Sequence, residues 1–186
     1  MSCGIENGIS LNCDDLRRVG GVNKLVWIFN TKDLANDKYA FTNEYVSAIN
    51  FESYAGTYQF VSKKKSHSAG FSVQKQQPGG NTFFQHDAIL KLFPDSPMED
   101  NVIENLVVSE VGLIVQDNND QFFLYGADNG LEVTEGTQNT GQENASDTAL
   151  SLTFTGEEKE LPKRISVDGS GTDFANTKAY LESLVI

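Results

Sequence analysis

Apolar side chains recur along this chain mainly at a spacing of two, in short runs bounded by glycine or polar clusters. That spacing predicts β-strands. Residues 22–30 (VNKLVWIFN) follow Gly20-Gly21 and are apolar on both faces, which predicts a central strand. Residues 45–51 (YVSAINF), 57–63 (TYQFVSK) and 69–76 (AGFSVQKQ) read as further strands, and Gln77-Pro78-Gly79-Gly80 is a turn signal. Residues 81–93 are apolar in both phases of the alternation, predicting one long strand that is buried on both sides or changes surroundings midway. The period then lengthens. Ser96-Pro97-Met98-Glu99 combines a capping hydroxyl, a proline at the first helical position and a glutamate three residues after the cap, predicting a helix over about 97–109. Met98, Val102, Ile103 and Leu106 form its apolar stripe.

From Glu110 the short period returns as VGLIVQ, QFFLYG and LEVTEG, separated by Asp117-Asn118-Asn119-Asp120 and Asp128-Asn129-Gly130. Two polar turns joining three apolar runs predict a meander. Residues 135–148 hold no large apolar side chain and read as a loop, whereas Leu150, Leu152 and Phe154 alternate with Ser151, Thr153 and Thr155 as in a half-buried strand. Residues 156–171 are charged and glycine-containing, and a second amphipathic helix is expected over about 173–184, with Phe174, Leu181, Leu184 and Val185 on its apolar side. The fold class is therefore mainly β, an antiparallel sandwich or partly closed barrel with two helices. One domain over 1–186 is expected, comprising an arm at 1–19, a β core at 20–160 and a C-terminal extension at 161–186.

Composition narrows the functional classes. No apolar run has the length of a membrane span, and MSCGIENGIS lacks the basic start and apolar stretch of a secretory signal, so a soluble product made in the cytoplasm is expected. Cys3 and Cys13 are then expected as free thiols. The net charge of −12 argues against ordinary duplex binding, which depends on Lys and Arg neutralising phosphates. Its distribution is uneven: residues 1–93 hold ten Lys or Arg against eight Asp or Glu, and residues 94–186 hold four against eighteen. Such a split suits a self-complementary subunit as well as it suits a solvated acidic surface.

Three stretches carry a resemblance: Gly20-Gly21 with VNKLVWIFN, VGLIVQDNNDQFFLYGADNGLEV, and residues 150–158 (LSLTFTGEE). With the order of elements around them, over much of residues 20–160, the chain resembles the tail-tube (major tail) proteins of tailed phages that infect Bacteroidetes. The resemblance implies a virion structural protein, not an enzyme, without cofactor or metal. Its subunits would form six-membered rings stacked into a tube that conducts the genome from capsid to host. The partners implied are further copies of itself and other tail proteins such as tape measure, terminator or sheath, with DNA passing through unbound. The implied location is the virion tail, assembled in the host cytoplasm without a membrane partner. A terminator, connector or baseplate ring of related fold is the alternative. A carbohydrate-binding sandwich is a third reading, and it requires Trp27, Tyr54, Tyr58 and Tyr125 to share an exposed face.

Little in the chain suggests chemistry. His67 and His86 lack neighbours at metal-ligand spacing and are expected as ordinary strand residues. Asp117 to Asp120 lacks the central glycine and distal glutamate of a calcium loop and reads as a turn. Glu157-Glu158-Lys159-Glu160 reads as a solvated or interfacial acidic run, and Asn144-Ala145-Ser146 as an accidental sequon. Lys63, Lys64 and Lys65 are candidate inter-ring contacts, facing carboxylates of an adjoining subunit. No phosphate-cradling glycine loop or nucleophile elbow is present.

Overall fold

The computed structural model describes residues 20–63, 66–75, 80–94, 96–138 and 149–186. They form two sheets and two helices, and the sheets do not close into a barrel. The larger sheet has seven strands, taking in β1 (Val22–Asn30), β2 (Leu34–Thr42), β3 (Tyr45–Phe51), β4 (Tyr58–Val61), β7 (Val111–Asp117), β8 (Phe122–Tyr125) and β11 (Lys163–Ile165). Their order is β2-β3-β11-β8-β7-β1-β4. The smaller sheet is built from β5 (Ser68–Lys75), β6 (Thr82–Leu92), β9 (Glu132–Gln138) and β10 (Leu150–Glu158), in the order β5-β6-β10-β9. Helix α1 (Pro97–Val107) and helix α2 (Phe174–Ser183) complete the fold.

Strand β1 explains the arrangement. Being apolar on both faces, it feeds two cores. Val26 and Ile28 point between the sheets, where they meet Leu90 and Leu92 of β6, Leu113 of β7, Leu152 and Phe154 of β10, and Leu106 of α1. Trp27 and Phe29 point the other way and pack with Val46, Ile114, Phe122, Leu124, Ile165 and Leu181 of α2. The molecule thus has three layers: small sheet, large sheet, helix. Gly112 of β7 makes room for this second core, since a Cβ there would meet the Phe29 ring at 2.2 Å.

The capped helix forms as its sequence requires, with the Ser96 hydroxyl accepting from the Glu99 amide at 3.4 Å and Pro97 in the first turn. Its stripe is only half used. Leu106 is buried and Ile103 packs against the core, but Met98 and Val102 remain exposed.

Two expectations are corrected and two strands are added. The meander ends after two strands: β7 and β8 pair, but β9 joins the other sheet. Leu131 still bridges Val111, and the chain crosses at Glu132. The crossing uses Gly126 and Gly130 in the left-handed region (φ 68° and 84°), and Gly156 lets the turn approach, since a Cβ there would meet the Gly130 carbonyl at 2.3 Å. Residues 161–186 are woven into the fold instead of extending from it, because β11 sits in the middle of the large sheet and Leu181 is fully buried. Residues 156–171, which the pattern left without an element, contain the end of β10 and all of β11. Finally, β2 is an additional strand, joined to β3 by a two-residue turn in which Asn43 and Glu44 both have positive φ.

Candidate functional site

The small sheet presents one face to the core and leaves the other open, and side-chain alternation assigns residues to each. Along β6, Ala88, Leu90 and Leu92 are buried, while Gln85, Asp87, Ile89 and Lys91 lie on the opposite side. Register carries this assignment across the sheet. On β10 the residues opposite them are Glu157, Thr155, Thr153 and Ser151. On β5 they are Ser72 opposite Gln85, Gly70 opposite Asp87 and Ser68 opposite Ile89. On β9, Glu132, Glu135 and Thr137 lie opposite Thr155, Thr153 and Ser151, with the register shift of a bulge between them.

This open face is small, hydroxyl-rich and acidic. Asp87, Glu132, Glu135 and Glu157 face Lys91 as the one base among these residues. Side-chain bonds run along the strands, from the Gln85 amide to the Asp87 carboxylate at 2.9 Å and from the Gln74 amide to the Ser72 hydroxyl at 3.2 Å. A face of short hydroxyl side chains without clustered cations has no means of gripping a polyanion.

Among the described residues both edges of the sheet are unpaired: β5 has only β6 as a neighbour there, and β9 only β10. They differ in charge. Lys75 is the only charged residue of β5, whereas β9 carries Glu132 and Glu135 and no base. They match in length, at eight and seven residues. On the core-facing side of β5, Phe71 and Val73 extend past the large sheet and stay 48% and 58% exposed, with Phe71 edge-on to Phe84 at 6.3 Å.

Behind this face, two buried polar groups hold the sheets together. His86 Nδ1 accepts from the Gly126 amide at 3.3 Å, so Nε2 carries the proton and donates to the Glu160 carbonyl at 3.0 Å. Burial pushes its pKa down to about 4, although the Asp87 carboxylate acts the other way. Glu158, 2% exposed, accepts from the amides of Asp128, Asn129 and Gly130 at 3.0–3.3 Å, clamping the crossing turn. Its pKa is raised by desolvation against those bonds. The acidic run is therefore not uniformly solvated: Glu157 is exposed, Glu158 is a core group, and Glu160 pairs with Lys163.

The other sequence candidates separate in space. Lys63 lies with its ammonium 4.3 Å from the Phe93 ring centroid, a cation–π contact, while Lys64 and Lys65 fall outside the described residues. His67 is buried, and its Nδ1 accepts from the Lys91 amide at 3.4 Å. The Asp117 carboxylate caps its own turn, accepting from the amides of Asn119 and Gln121 at 2.8 Å each, which leaves a hairpin turn and no calcium-loop geometry. The four aromatics do not share a face: Trp27 and Tyr125 are buried in opposite cores, Tyr54 is fully exposed and Tyr58 is half exposed. Cys3, Cys13 and the sequon at Asn144 lie outside the described residues. The open face and the edge pair were not named from the sequence, though the hydroxyl alternation of residues 150–155 was a signal for the former. Comparison with family models, curated proteins and solved structures returned no match.

Proposed function

We propose that this protein is a structural ring subunit of a phage tail tube, its small sheet forming part of a continuous channel wall. One observation carries the reading: the small sheet has four antiparallel strands, and its two edges, free among the described residues, are matched in length and opposite in charge. Because the strand number is even, β5 and β9 run in opposite directions. A copy rotated about an axis along the strands would therefore place its β5 antiparallel to the first copy's β9. The ladder then continues without a break and closes on itself, which removes both edges. Phe71 and Val73, uncovered in the single chain, lie where the neighbour would cover them.

The resemblance supplies the number six. Six copies would give about 24 strands, and at a spacing of ~4.8 Å and a tilt of roughly 40° the wall would be on the order of 50 Å across, wide enough for a double helix. The open face would line that channel, where hydroxyls and carboxylates let a polyanion slide. Stacking of such rings makes the tube. No catalytic role is part of this reading, and the aromatic platform needed for a carbohydrate-binding reading is missing, since Trp27 and Tyr125 are buried.

Negative-stain microscopy of the purified chain tests it. Hollow tubes of stacked rings are the expected result. A chain that remains monomeric up to millimolar concentration overturns the assembly reading, and single rings that never stack overturn the tube in favour of a terminator or connector.

A further inference from the structure

On its core-facing side β5 carries Phe71, Val73 and Lys75 in one alternating row, with Phe71 and Val73 beyond the cover of the large sheet. A second exposed apolar patch lies at the other edge of the small sheet. Helix α1 lies against β9, and its Ile103 and Leu106 pack beside Val133 between the sheets, so it flanks that edge on the core-facing side. The helix ends in two exposed valines, Val107 (43%) and Val108 (83%), followed by the exposed Glu110. Val111 then exchanges both backbone bonds with Leu131, at 2.9 and 2.7 Å, which ties this end of the helix to the start of β9 at Glu132. The two patches are complementary in charge: Lys75 is the one charged residue of β5, whereas residues 97–110 hold Glu99, Asp100, Glu104 and Glu110 and no base.

The register of the sheet fixes how such edges can meet. Gly70, Asp87, Thr155 and Glu132 stand on one line across it. Two copies joined along that line would pair only Ser68, Ala69 and Gly70 of β5. Pairing the described edges over their full length instead requires Gln74 opposite Glu132, a stagger of four residues, from Gly70 to Gln74, in each copy. Four residues at ~3.3 Å against four strands at ~4.8 Å give a tilt of roughly 35°, within the range of closed barrels.

We infer that helix α1 of one copy covers the β5 flank of the next, with Val107 and Val108 over Phe71 and Val73 and Glu110 beside Lys75. The inference rests on the ring reading and names the element that seals each junction on the side away from the channel. With Gln74 opposite Glu132, Val73 stands beside the neighbour's Val133, in the row that α1 flanks, and Lys75 stands beside its Leu131, which Val111 bridges. Both flanks then read in the same order towards the same end of the sheet, apolar first and charged after. A single copy cannot make this contact, because its two patches lie on opposite edges, three strand spacings or about 14 Å apart. The apolar side chains carry the contact, and the exposed pair of Lys75 and Glu110 directs it more than it strengthens it.

Disulfide trapping in the assembled full-length chain tests it, in a background of Cys3→Ser and Cys13→Ser. Val73→Cys with Val108→Cys puts the two thiols on opposite edges of each copy, too far apart to join within it, since a disulfide needs its Cα atoms within about 7 Å. Oxidation should therefore link copies head to tail, giving covalent multimers up to the closed ring on non-reducing electrophoresis. Val73→Cys with Met98→Cys, at the exposed start of the same helix, should trap at least about fivefold less. Gln74→Cys with Glu132→Cys reports the strand ladder itself and should also link. Val107→Cys replaces Val108→Cys should the cap variant fold poorly. A linked ladder pair with no link from either valine, or equal trapping at Met98, would overturn the helix cover and leave the ring standing. Valine links without ladder links would overturn the register that brings the helix there. No rings by microscopy and no link at either pair would overturn the ring reading, and the cover with it.

Discussion

His86 and Glu158 show how two side chains of ordinary appearance set the joint between the sheets. His86 is 1% exposed and bonded at both ring nitrogens only as the neutral imidazole, because its Nδ1 accepts. Its folded pKa of about 4 lies below the unfolded value of 6.5, so between those values the unfolded chain binds the extra proton. Stability from this group is therefore complete above pH 6.5 and declines as the pH falls towards 4, by up to about 3 kcal/mol. Gln can make both bonds without titrating, so His86→Gln should flatten the curve of unfolding free energy between pH 7 and 4. Glu158 contributes in the opposite sense, since its pKa is raised, but it is present in both proteins and cancels in the difference. Parallel curves from urea titrations would show that His86 does not carry the dependence. Glu158→Ala removes the acceptor of three turn amides and should cost about 3 kcal/mol at pH 7 in the same titration. Neither role was legible in the sequence, because burial of a histidine or glutamate depends on partners some 28 to 74 positions away.

At the scale of elements, signals that are local survived best. The α1 start was readable because Ser96, Pro97 and Glu99 act within one turn, and the Asp117 turn because its carboxylate bonds amides two and four residues on. Strand β2 escaped detection because Asn36 and Asp37 interrupt its alternation and its turn, Asn43-Glu44, lacks the glycine that normally marks positive φ. Strand β11 is three residues long and includes Lys163 and Arg164, so its place depends on β3 and β8 on either side. The switch of β9 between sheets was hidden for a related reason: Asn129-Gly130 marks a turn but says nothing about which sheet receives the next strand. That switch matters most for the proposed assembly, because it makes β9 the acidic edge, free among the described residues. Lys75 shares the core-facing side of β5 with Phe71 and Val73, while Glu132 and Glu135 lie on the open face, so no direct ion pair would join the two edges. Glu132→Lys with Glu135→Lys should therefore leave ring closure intact, whereas Val73→Asp, which puts a charge into an apolar contact that the neighbour would cover, should prevent it while the subunit stays folded. Rings forming equally well with Val73→Asp, by sedimentation and microscopy, would exclude burial of that side chain at the junction.

For the whole molecule, the charge asymmetry read from the sequence acquires a place. Much of the acidity of residues 94–186 is solvated, but Glu132, Glu135 and Glu157 lie on one open face with Asp87 from the other half of the chain. If that face lines a channel, its composition has a direct consequence for transport. A polyanion bound by several cations in every ring would meet a barrier that grows with each contact, whereas a hydroxyl and carboxylate wall offers it no counterion to exchange. Assembled tubes should therefore show no measurable affinity for duplex DNA at about 150 mM salt, near physiological ionic strength. Replacing Asp87, Thr153, Thr155 and Glu157 by lysine changes central positions of the face and leaves both edges untouched, so tubes should still form. Those tubes should bind DNA, with log K falling steeply against log salt because each lysine meets phosphates around the whole ring. Anisotropy of a labelled duplex, read over a salt series, separates the outcomes. Equal binding by both tubes would place the face on the outside, where its carboxylates only keep the protein dispersed. Tight binding by the unaltered tube would reject the channel assignment.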